Sequence, residues 1–88
     1  MKLTPATVVA ITGAGGGIGR ATALAFAREG CAVALSDVNE AGLEATRALL
    51  PPGTRATAHV VDVSRLADVE RWRDEVLAAL GSVHVVVN

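Results

Sequence analysis

A β-branched run, Thr7-Val8-Val9-Ala10-Ile11-Thr12, stops at Gly13-Ala14-Gly15-Gly16-Gly17-Ile18-Gly19, and a helix-forming stretch follows at once. This junction restricts the fold more than any other segment. The run before it reads as a buried strand. Glycine takes backbone angles closed to other residues and lets main chain approach a ligand. The stretch from Ile18 to Glu29 reads as a helix, ended by Gly30. A strand that passes through glycines into a helix presents free N–H groups and the positive end of the helix dipole to an anion. A glycine-rich turn without a ligand is the plainer reading.

The remaining chain repeats the strand–helix alternation. Cys31 to Ser36 is apolar and short, a second strand. Asn39 stands as N-cap of a helix to about Leu50, which Pro51-Pro52-Gly53 stops. Arg55 to Val61 forms a third strand. Ser64 is expected to cap a third helix to about Leu80, with Leu66, Val69, Trp72, Val76, Leu77 and Leu80 on its apolar side and Gly81 past its end. Val83 to Val87 is a fourth strand, followed by Asn88. Alternating elements of this length imply right-handed βαβ units and a parallel sheet. The expectation is an α/β fold: a partial Rossmann fold of four parallel strands ordered 3-2-1-4, crossed over by three helices. Helices one and two lie on one face and helix three on the other.

Spacing limits what the loop can hold. A phosphate-binding loop of the Gly-Lys-Ser/Thr type needs a lysine, and the only one is Lys2. The pattern G-x-G-x-x-G fails in every register. T-G-x-x-x-G-x-G fits, through Thr12, Gly13, Gly17 and Gly19. Asp37 follows about 20 residues later, the distance at which an acidic residue reaches the adenosine ribose of a bound dinucleotide. A carboxylate there accepts hydrogen bonds from both ribose hydroxyls of NAD and repels the 2′-phosphate of NADP. Val38 beside it offers no cation. Arg20, in the first helical turn, is expected to face solvent. Asp37 could instead serve only as a helix-entry cap with Asn39, and Asp62 only as a turn residue before Ser64.

These landmarks together resemble the cofactor-binding part of the short-chain dehydrogenase/reductase family. The glycine loop, Asp37 at the end of strand two, Asp62-Val63 at the end of strand three and Val85-Val86-Val87-Asn88 occur in the family's order across essentially all 88 residues. The last stretch looks like the start of the family's fourth strand and its N-N-A-G motif. The resemblance implies a nicotinamide dinucleotide as partner, NAD before NADP. It implies cofactor contacts at Gly13, Gly15, Gly16, Gly17, Ile18, Gly19, Asp37, Val38, Asp62, Val63 and Asn88. It also implies an oxidoreductase whose catalytic serine and Y-x-x-x-K pair lie farther along. This chain has no tyrosine. On that ground residues 1–88 are expected to be the N-terminal half of a dinucleotide-binding domain, truncated at strand four and inactive alone. A non-catalytic nucleotide-binding or self-association module is the alternative.

Composition excludes other classes. Formal net charge is −1 with signs mixed, and aromatic residues make up 2 %, which argues against a nucleic-acid groove. Cys31 is the single cysteine, and His59 and His84 have no ligand-spaced partners, so no metal site is expected. No leader and no apolar run near the ~20 residues of a membrane span are evident, so the expected location is cytoplasmic. Mean hydropathy is +0.44. An apolar fourth strand at a sheet edge invites pairing. A homodimer is expected, strand four against strand four, or face to face over a bare sheet, or by exchange of elements.

Overall fold

The computed structural model describes residues 3–88. Seven elements follow in order: β1 (Val8–Ile11), α1 (Gly17–Arg28), β2 (Ala32–Asp37), α2 (Glu40–Leu49), β3 (Ala56–Val60), α3 (Leu66–Leu80) and β4 (Val85–Val87). One sheet is ordered β3-β2-β1-β4, and every pairing is parallel. Val9 lies beside Val33 on one flank and Val85 on the other. The order and the crossovers are those read from the sequence, a partial Rossmann fold.

The period-two side-chain alternation of each strand sorts the core into two layers. Val9, Ile11, Val33 and Leu35 meet Ala23 and Ala27 of α1 and Leu43 of α2. Val8, Ala10, Ala32 and Ala34 point to the opposite face, where Trp72, Val76 and Leu80 of α3 cover them. The small alanines of that face leave room for the indole of Trp72. Helices one and two thus share one face and α3 takes the other, as the sequence implied.

Several boundaries and contacts differ from expectation. Ser64 does not cap α3. Its hydroxyl and N–H both donate to Asp62 Oδ1, at 2.6 and 3.0 Å, and the N-cap position falls on Arg65, whose side chain makes no capping bond. Serine followed two residues later by a helix can close a local turn on a preceding aspartate instead of serving as a cap. The apolar side of α3 is also narrower than its sequence: Leu66 and Leu77 are exposed. The buried line of α3 is Trp72, Val76 and Leu80, four residues apart, and it rests on Val8, Ala10, Ala32 and Ala34. Exposure at Leu77 is a matter of helix face, since its neighbour Val76 and the terminal Leu80 are both buried. Strand four begins at Val85: His84 N–H still donates to Val8 O at 2.9 Å, but Val8 N–H goes to the His84 imidazole Nδ1 at 2.9 Å and not to a main-chain carbonyl before it. No helix of the described residues is long and apolar enough to cross a membrane.

Candidate functional site

The carboxyl ends of β1, β2 and β3 open onto a cavity of about 300 Å³ lined by Thr12, Gly13, Ser36, Asp37, Val38, Val61, Asp62 and Val63. In an open α/β sheet this is the end where ligands bind. A second cavity, of about 220 Å³, lies at the amino ends between Pro5, Cys31, Pro51, Pro52 and Arg55. Burial and the neighbouring Glu29 charge raise the Cys31 thiol above its ordinary pKa.

The glycine loop forms one wall of the first site. Gly13 and Gly17 have φ of 62° and 54°, in the left-handed region where a side chain is strained. Gly19 serves a different need. A Cβ there would stand 2.0 Å from the Gly13 carbonyl oxygen, so the first turn of α1 rests directly on the loop. Helix α1 has no side-chain cap. Among the described residues the N–H groups of Gly16, Gly17, Ile18 and Gly19 donate to no protein acceptor. Four convergent free donors at a helix N-terminus are what a pyrophosphate needs.

Asp37 stands at the end of β2, half-buried. Its Oδ2 accepts from Gly15 N–H at 2.8 Å and its Oδ1 from Asn39 N–H at 3.0 Å. The carboxylate therefore joins the loop to the start of α2. Each oxygen keeps acceptor capacity for a ribose hydroxyl, since a carboxylate offers about four lone-pair sites. A Cβ on Gly15 would come 2.8 Å from Oδ2, so only glycine lets the carboxylate approach here. Asn39 caps α2 as expected, accepting from Gly42 N–H.

Val38 and Val63 are exposed apolar side chains flanking the cavity, at 67 % and 60 %. Exposed valines beside two aspartates are an apolar wall with polar ends, suited to a purine and its ribose. Asp62 is held by Ser64, and those two hydrogen bonds keep its carboxyl below the usual carboxylate range. Ile18, 86 % exposed, projects from the first turn of α1. Asn88 lies on the far side of β1, just past Val87, whose carbonyl accepts from Thr12 N–H at 3.0 Å. The cavity thus gathers Gly13, Asp37, Val38, Asp62 and Val63, while Gly15, Gly16, Gly17, Ile18, Gly19 and Asn88 are not among its lining residues.

Arg20 contradicts its sequence reading. It does not face solvent: it turns under the loop, with Nε donating to Thr46 Oγ1 at 2.8 Å and Nη2 donating to the carbonyls of Gly15 and Gly42 at 3.0 and 3.2 Å. Thr46, fully buried, donates to Ala14 O at 2.6 Å. Neither Thr46 nor Gly42 was expected to matter. A capping-and-periodicity reading has no means of pairing residues on separate helices. The one available signal was a threonine and a glycine on the apolar side of α2. His59 also has a carboxylate partner after all, Glu75 of α3 at 2.7 Å, and no group of three metal-ligating side chains exists among the described residues.

A parallel sheet with a glycine loop, free helix-terminal donors and an acidic strand end defines a dinucleotide-binding α/β unit. Residues 7–88 match the family model described as short chain dehydrogenase, and the chain belongs to that family. It is 47 % identical over 83 residues to the probable oxidoreductase EphD of Mycobacterium tuberculosis, which covers 93 % of this chain and 14 % of that protein. A short-chain dehydrogenase/reductase from Burkholderia phymatum, solved in complex with NAD, superposes with a TM-score of 0.88 at 38 % identity, over 98 % of this chain and 31 % of that one. An alcohol dehydrogenase from Thermococcus sibiricus, complexed with 5-hydroxy-NADP, gives a TM-score of 0.85 at 40 % identity, over 91 % and 35 %. The chain spans about a third or less of the length of these proteins.

Proposed function

We propose that residues 1–88 form the N-terminal, NAD(H)-binding half of a dinucleotide-binding domain in an oxidoreductase. The observation that carries this is the row of unclaimed N–H groups from Gly16 to Gly19 beside the Asp37 carboxylate. In this reading Gly16, Gly17, Ile18 and Gly19 hold the pyrophosphate. Gly13 and Gly15 give the main chain and Asp37 their room. Asp37 takes the ribose hydroxyls, Val38 and Val63 border the adenine, Asp62 marks its far edge, and Asn88 lies toward the nicotinamide. The bound cofactor would accept or supply a hydride. These residues bind and orient it and move no proton, because no tyrosine is present.

The preference for NAD rests on charge. Asp37 is an anion where a 2′-phosphate would lie. Arg20, the cation nearest the loop, spends its hydrogen bonds on Thr46, Gly15 and Gly42. Calorimetry should find NAD bound at least about tenfold more tightly than NADP, and Asp37→Ala should narrow that ratio by removing the repulsion. Tighter NADP binding by the unmodified protein would refute the assignment.

The same reading includes self-association. One edge of β4 has no partner strand among the described residues, and Val86 is 60 % exposed. A second copy, strand β4 antiparallel to β4 about a two-fold axis, would pair that edge. Sedimentation of a folded monomer at high micromolar concentration would overturn it.

A further inference from the structure

We infer that Arg20 and Thr46 are positioning residues: a clamp reaching from under the glycine loop to α2, which aims the Gly16 N–H at the cofactor pyrophosphate and sets a positive charge beneath it. The inference rests on the dinucleotide reading above and adds the device that shapes the loop. All four main-chain polar groups of Ala14 and Gly15 are tied down. Ala14 N–H donates to Ser36 O at 2.9 Å. Ala14 O accepts from Thr46, Gly15 N–H donates to Asp37, and Gly15 O accepts from Arg20. A trans peptide is planar, with its C=O and N–H pointing in opposite directions. Holding Ala14 O on Thr46 therefore directs Gly15 N–H the other way, onto Asp37. Holding Gly15 O on Arg20 directs Gly16 N–H away from α2, and that N–H has no protein acceptor.

Two further observations point the same way. Gly42 has no room for a side chain: a Cβ there would be 2.3 Å from Gly15 O. Helix α2 thus presses against the loop carbonyl that Arg20 holds, and Arg20 bonds both sides of the contact. Moreover, Arg20 is half-buried and forms no ion pair among the described residues. Its bonds go only to neutral oxygens. A guanidinium with no direct ion-pair partner in a partly desolvated place keeps part of its field at the loop, although the Asp37 carboxylate holds the N–H of the same Gly15.

The test uses ADP-ribose, which carries the pyrophosphate, and adenosine, which carries no phosphate. Affinities and thermal midpoints would be measured for the unmodified protein, Arg20→Met, Arg20→Lys and Thr46→Val. The clamp predicts about a tenfold or greater loss of ADP-ribose affinity in Arg20→Met, since hydrogen bonds involving a charged group carry effects of this size. Adenosine affinity should stay within about twofold. Arg20→Lys, which keeps the charge and loses the fork, should recover part of the loss. Thr46→Val should weaken ADP-ribose binding and speed exchange of the Gly15 amide. Equal loss of both ligands in step with a lower thermal midpoint would reduce Arg20 to a structural role and overturn the inference. Unchanged ADP-ribose affinity in the variants, with the unmodified protein binding, would overturn it too. Should Arg20→Met fail to fold, the comparison of Arg20→Lys and Thr46→Val decides by the same two ligands. If the unmodified protein binds no ADP-ribose, the dinucleotide reading itself fails, and the clamp with it.

Discussion

The two faces of the sheet are built to different standards. On the α1/α2 face, Val9, Ile11, Val33 and Leu35 have no exposed surface, and the loop, α1 and α2 are tied to one another through Asp37, Arg20 and Thr46. On the α3 face an apolar cavity of about 250 Å³ remains open between Ala10, Val69, Trp72, Val76, Val83 and Val86. The Trp72 Nε1–H is buried there without an acceptor. The first face holds Arg20, Thr46 and Gly42, which tie the glycine loop to α1 and α2. The second holds little beyond packing, and its surface ends at an unpaired strand. Packing and hydrogen bonding are therefore densest around the glycine loop, and the α3 face is the more open of the two.

The largest effect that would break this contrast is in the core. Leu35→Ala should cost about 2–5 kcal/mol, as a fully buried leucine whose cavity cannot collapse. Val86→Ala should change stability by less than about 0.5 kcal/mol, because its side chain is already mostly in water. Denaturant unfolding of both variants measures the difference. Equal losses would mean that the α3 face is as closed as the other.

Next comes the loop. Gly19→Ala places a methyl group against the Gly13 carbonyl, and main chain must move to admit it. A loss of about 1–3 kcal/mol is expected, the range for overpacking, and cofactor binding should fall with it. Gly16→Ala meets nothing within 4 Å and sits on extended backbone, φ 170°. Its stability should be unchanged or slightly higher. Thermal unfolding with and without NAD separates the two: Gly16→Ala should keep its midpoint and reveal only what the added methyl does to binding.

These expectations also mark how far the sequence could be read. The strands and helices follow from period-two and helical spacing, which each element carries within itself, while the order 3-2-1-4 and the split of helices between faces follow from right-handed crossovers and the doubly wound order of the fold that the chain resembles. The glycine loop and Asp37 are legible too, because a strand, five glycines and an acidic strand end appear in local order. What could not be read involves partners distant in the chain. Arg20 meets Gly42 and Thr46 only after β2 returns α2 to the same face. The His84 imidazole takes the Val8 N–H that a main-chain carbonyl would otherwise accept, a contact between residues 76 apart. Ser64 fits a capping pattern, yet Asp62 is a nearer acceptor for it than the helix is a donor.

The two helix starts give a smaller and cleaner test. Asn39→Ala removes an acceptor from Gly42 N–H and should cost about 1 kcal/mol, the usual value of an N-cap. Ser64→Ala removes no cap and should stay within about 0.5 kcal/mol. Chemical unfolding of the pair would decide whether α3 begins without a side-chain cap. A loss of 1 kcal/mol or more for Ser64→Ala would restore the cap.

Val86→Lys carries the smallest expected change in protomer stability and the sharpest question about the open face. The side chain leaves the sheet toward the cavity beside Arg73, with 60 % of its surface in water. A lysine stem can lie along Val83 and Val69 while its ammonium reaches solvent, so the thermal midpoint should hold. Pairing with a second copy is another matter. A two-fold axis at the β4 edge brings the same position of both chains close together, and two ammonium groups there, each with Arg73 nearby, would repel. Sedimentation should then find the unmodified protein dimeric and Val86→Lys monomeric at equal thermal midpoints. A dimer that survives the substitution would place the contact elsewhere on the molecule. A monomer in both cases would mean that no second copy covers this face.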